Sequence, residues 1–77
     1  MADGAALEVA RLALRLPVLD LWIAYFALGG LGDASHLRQY LGGGAITTDH
    51  DHNLIVHALN EVYSERGRDS PVPYRND

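Results

Sequence analysis

The chain has 77 residues, enough for one small domain whose single core is at the margin of self-sufficiency. Its 48% hydrophobic and 21% charged residues belong to a folded chain and exclude an intrinsically disordered one. With no cysteine and a formal charge of −4, disulfides, thiolate metal sites, cysteine nucleophiles and a basic nucleic-acid surface are all disfavoured.

The opening stretch, MADGAALEVARLALRLP, lacks the basic region and the small-residue cleavage site of a signal peptide, which points to the cytoplasm. A first helix is expected over residues 4–15. Glu8, Arg11 and Arg15 share one narrow face, and Glu8 to Arg11 is a favourable pair three residues apart. Leu7, Ala10 and Leu14 form one apolar stripe, and Val9, Leu12 and Leu16 form another nearly opposite. That leaves too little polar surface for an ordinary outer helix.

The segment Pro17 to Gly30, PVLDLWIAYFALGG, contains a single charge, Asp20. Wound as a helix over 17–28, it puts Val18, Leu21, Trp22, Tyr25 and Leu28 on one stripe, with Leu19, Ile23 and Phe26 beside it. Only Asp20, Ala24 and Ala27 remain on a narrow small-residue face, so this helix needs covering on several sides and is expected at the centre of the fold. Pro17 suits its first position, with Asp20 as the alternative N-cap, and Gly29 and Gly30 end it. The charge-free run Leu21 to Leu31 is about half of the roughly 20 residues a bilayer span requires, so no membrane is expected.

Asp33 is a good N-cap for a short helix over 34–41, with Leu37, Tyr40 and Leu41 inside and Ser35, Arg38 and Gln39 outside. Gly42 to Gly44 end it. A last helix over 49–66 starts after Thr48, whose spacing to Asp51 makes a weak capping box, and stops at Gly67. Ile55, Val56, Leu59, Val62 and Tyr63 repeat at helical spacing, while Asn53, Leu54, His57, Asn60 and Glu61 fall on the outer side. Residues 68–77, RDSPVPYRND, are expected to be an extended, proline-containing tail, with Val72 and Tyr74 sealing an apolar seam. The fold class is therefore all-α, a single small bundle of four helices.

The densest polar cluster is Asp49, His50, Asp51 and His52, followed by His57. Histidine and carboxylate suit a divalent metal, with His36 as a possible extra ligand, and a histidine beside an aspartate can sense pH. The spacing argues against a metal site. His50 and His52 point about 200° apart on a helix, and no histidine pair stands four residues apart. An acidic, well-capped helix start explains the cluster more simply. No nucleophile motif, phosphate loop or dinucleotide fingerprint occurs, so no enzymatic activity, catalytic residue, metal or cofactor is expected. Helices two and three have a helix-turn-helix outline with Ser35, Arg38 and Gln39 as readers, yet the third helix has one positive charge and two aspartates open the next.

The strings DLWIAYFALGG and HALNEVYSERGRDSPVPY resemble small acidic helical proteins of actinobacteria, a group of uncharacterised function, over roughly residues 18–74. All six basic side chains are arginine, which fits a GC-rich genome of that kind. The resemblance implies a helical fold and a bacterial cytoplasmic setting, and carries no functional residue across. The remaining expectation is a non-enzymatic regulatory or adaptor module acting through protein association, as a homodimer. Trp22, Tyr25, Phe26, Leu31, Tyr40 and Leu54 are the expected interface, since large apolar and aromatic side chains anchor interfaces. The alternatives are a DNA-binding regulator and a histidine/aspartate metal domain.

Overall fold

A computed structural model describes residues 3–69; the PVPY part of the tail lies outside them. Among the described residues there are four helices and no strand: α1 (Asp3–Leu14), α2 (Val18–Ala27), α3 (Ala34–Leu41) and α4 (Asp49–Glu65). α1 and α2 each pack against both α3 and α4. None of the helices is long and apolar enough to cross a membrane.

Local chemistry sets the helix ends. The Asp33 carboxylate accepts from the His36 N–H at 2.7 Å and the Thr48 hydroxyl from the Asp51 N–H at 3.1 Å, both as the sequence leads one to expect. Pro17 is the N-cap of α2 rather than its first helical residue, with an extended backbone and no side-chain cap; Asp20 lies within the first turn. All four helices close with the same double hydrogen bond, the Schellman arrangement. Gly30 N–H to Tyr25 O and Gly29 N–H to Phe26 O are its form in α2, and Leu16 N–H to Arg11 O and Arg15 N–H to Leu12 O in α1. The left-handed residue this closure demands is Gly29, Gly43 or Gly67 in three helices, but in α1 it is Arg15, at φ 54°.

The core runs through all four helices. Leu7, Leu14, Leu21, Leu37, Val56 and Leu59 are its largest fully buried side chains, each contributing about 1.5–3 kcal/mol of burial. α4 has six buried residues against two in α2, so the last helix, not the second, is the central one. The difference follows from α4's clean inner stripe, which spans most of its 17 residues, whereas α2 has apolar residues on every side and can turn only one arc inward. α1 meets α3 at Gly4, where a Cβ would collide with the Tyr40 carbonyl oxygen. Further along, the Tyr63 hydroxyl donates to Ala10 O at 2.9 Å and Arg66 to Leu14 O, tying α4 to α1.

Candidate association surface

The polar cluster at the start of α4 is divided between inside and outside. His50 is exposed, while His52 is buried and shares a 2.7 Å hydrogen bond with the Tyr40 hydroxyl. Asp51 takes a long contact from the Thr47 hydroxyl and faces the Tyr25 hydroxyl. Among the described residues, no three histidines or carboxylates come together in a way that could hold a metal ion. Ser35, Arg38 and Gln39 are exposed on the outer side of α3.

The six residues expected to form an interface separate into three kinds. Tyr25 and Tyr40 are 2% and 4% exposed, so both belong to the core and cannot anchor a partner. Their burial is possible because each hydroxyl is satisfied within the chain: Tyr25 accepts from the Gly32 N–H at 2.8 Å, and Tyr40 meets His52. Burial, ahead of the nearby Asp51 charge, pushes the Tyr25 phenol above its ordinary value near 10. Leu54 and Trp22 are half-buried and packed on the core, and the Trp22 indole donates to Gly32 O at 2.8 Å. Phe26 and Leu31 are exposed, with Leu31 at 94%.

Apolar residues beyond these six are exposed as well. Leu19 and Ile23 join Phe26 on one exposed stripe of α2, and the Phe26 ring stacks on Trp22 at 5.2 Å between centroids. On α1, Val9 and Leu12 are exposed, flanked by exposed Ala5, Ala6 and Ala13. These five large side chains retain between 53% (Ile23) and 67% (Val9) of their surface. Ile46, before α4, is 90% exposed. The signal was available in the sequence: Val9 and Leu12 form the second stripe of the first helix, opposite the one that is buried. Scattered exposed leucines are ordinary, but stripes on two successive helices are not.

Few charges interrupt these faces. Glu8 and Arg11 are turned onto one another, with Arg11 Nε and Nη2 donating to the two Glu8 oxygens at 2.6 and 2.7 Å, and Arg11 also donates to Leu16 O. The Arg11 hydrogen bond holds the Glu8 carboxyl below its ordinary value; burial partly opposes it, and the Arg11 charge adds a smaller push in the same direction as the bond. No protein-family model, curated protein or solved structure matches the chain.

Proposed function

We propose that this chain is a non-enzymatic regulatory or adaptor module that acts by association, pairing with a second copy through the outer faces of α1 and α2. The supporting observation is the exposed apolar surface itself: Val9 and Leu12 on one helix, Leu19, Ile23 and Phe26 on the next. Each such side chain leaves on the order of 100 Å² in water, and covering it is worth roughly 25 cal/mol per Å² before the costs of association. A 77-residue chain with no disulfide has reason to recover that energy, because its own core is small. The cytoplasmic setting proposed with this reading rests on the sequence alone.

Equilibrium sedimentation from micromolar to submillimolar concentration tests the proposal. A reversible dimer that Ile23→Asp converts to a folded monomer supports it, since a charge on that face must be desolvated to pair. A monomer at every concentration overturns it.

A further inference from the structure

Arg15 stands in a backbone conformation that the other three helix ends give to glycine. A left-handed residue with a Cβ costs about 1–2 kcal/mol, so glycine would be more stable here as well. Among the described residues the Arg15 side chain makes no hydrogen bond and no ion pair, and it is exposed. The described part of the fold does not use its side chain. Backbone strain held in place without a side-chain contact among the described residues points to a use outside the monomer.

Its position suggests that use. Arg15 lies just before the α2 stripe, on the side of the helix's N-terminus, and α2 has no basic residue in its last turn. Leu19, Ile23 and Phe26 are four and three residues apart, so Ile23 lies near the middle of a stripe about 10 Å long. A two-fold axis through the middle would set Leu19 against the partner's Phe26 and Ile23 beside the partner's Ile23. It would also carry each Arg15 to the C-terminal end of the opposite α2, where the helix dipole is negative and no basic side chain of that helix's last turn faces it. The same charge complementarity would then occur twice.

We infer that the occupant of this face is a second copy of the chain, with the two α2 helices antiparallel and Arg15 capping the C-terminus of the partner's α2. The inference rests on the association reading above and makes it specific. The α2 stripe with Leu31, which follows it in the chain, offers roughly 400 Å² of the ~800 Å² that each partner contributes to a standard interface. An interface of that size belongs to the weak, reversible class and not to the permanent one.

Because the chain has no cysteine, single cysteines report the geometry directly. In a sample shown by sedimentation to be dimeric, Ile23→Cys should crosslink to itself with a short bifunctional thiol reagent. Leu19→Cys should crosslink well only when mixed with Phe26→Cys, and Gln39→Cys on the outer side of α3 should not crosslink. Arg15→Gly should weaken the dimer roughly three- to thirtyfold, two helix-end charges being lost, while the chain diluted to monomer unfolds at an equal or higher temperature. A dimer in which Ile23→Cys stays unlinked, or one that Arg15→Gly leaves equally tight, overturns this arrangement and leaves the association reading standing. A chain that never dimerises overturns both.

Discussion

The two halves of the bundle are alike inside and unlike outside. α3 and α4 show water a polar face: Ser35, Arg38 and Gln39 on one, His50, His57, Glu61 and Ser64 on the other. α1 and α2 show it mostly valine, leucine, isoleucine, phenylalanine and alanine, with Asp20 the exposed charge on α2. All four contribute inward residues to one core. Folding this chain therefore needs only one arc of each helix, and the outer arcs report what else the surface is for. Where that arc is polar, the helix is finished by folding. Where it is apolar, the helix is left with surface that association would cover.

The sharpest way to break this contrast is to truncate one residue from each arc of α2. Leu21→Ala, on the buried arc, should cost about 2–5 kcal/mol in urea unfolding because the cavity cannot collapse fully. Leu19→Ala, two residues away on the exposed arc, should change the stability of the dilute chain by no more than about 0.5 kcal/mol while weakening self-association. Equal losses in the two variants would mean that the arcs are not distinct.

Next in size is Gly4→Ala, expected to destabilise by about 1–3 kcal/mol despite alanine's better helix propensity, because its Cβ strikes the Tyr40 carbonyl across the α1–α3 crossing. A stabilised variant in thermal unfolding would show that α1 sits further from α3. Tyr40→Phe removes the buried hydrogen bond with His52 and should cost about 1–2 kcal/mol, measured the same way; an unchanged midpoint would show the bond to be dispensable.

Two smaller effects depend on pH. The folded-state ionisation of Tyr25 is raised by burial and by Asp51, so its contribution is complete below pH 10 and is lost as pH rises through the folded value. Alkaline unfolding should be less steep in Tyr25→Phe than in the natural chain. Glu8 is shifted the other way by Arg11. Its contribution is present above the ordinary carboxylate range and disappears as pH falls through its lowered folded value. Glu8 is partly exposed, so Glu8→Gln should cost under about 1 kcal/mol at neutral pH and less in high salt. A larger, salt-independent loss would mean that the pair is more deeply enclosed than its geometry implies.

Much of the candidate surface was legible as excess rather than as location. Two helices with too few polar residues were evident, and so were Phe26 and Leu31 as exposed members. Tyr25 and Tyr40 were not separable from them, because an aromatic ring at helical spacing reads the same in a core and at an interface. Their hydroxyls decided it. Tyr25 finds the Gly32 amide seven residues on and Tyr40 finds His52 twelve residues on, and only the folded chain brings these groups together.

The sequence by itself determined the four helices and where they stop, since caps and closing glycines act within a few residues: Asp33, Thr48, Gly29, Gly43 and Gly67 each work locally. It also determined the inner stripes of α3 and α4, where polar and apolar residues alternate at the helical period. Which arc of α2 turns inward was decided only by tertiary packing, because a helix that is apolar all round has no preferred side until α3 and α4 present theirs. The same packing made α4 the central helix, and it left Leu19, Ile23 and Phe26 in water.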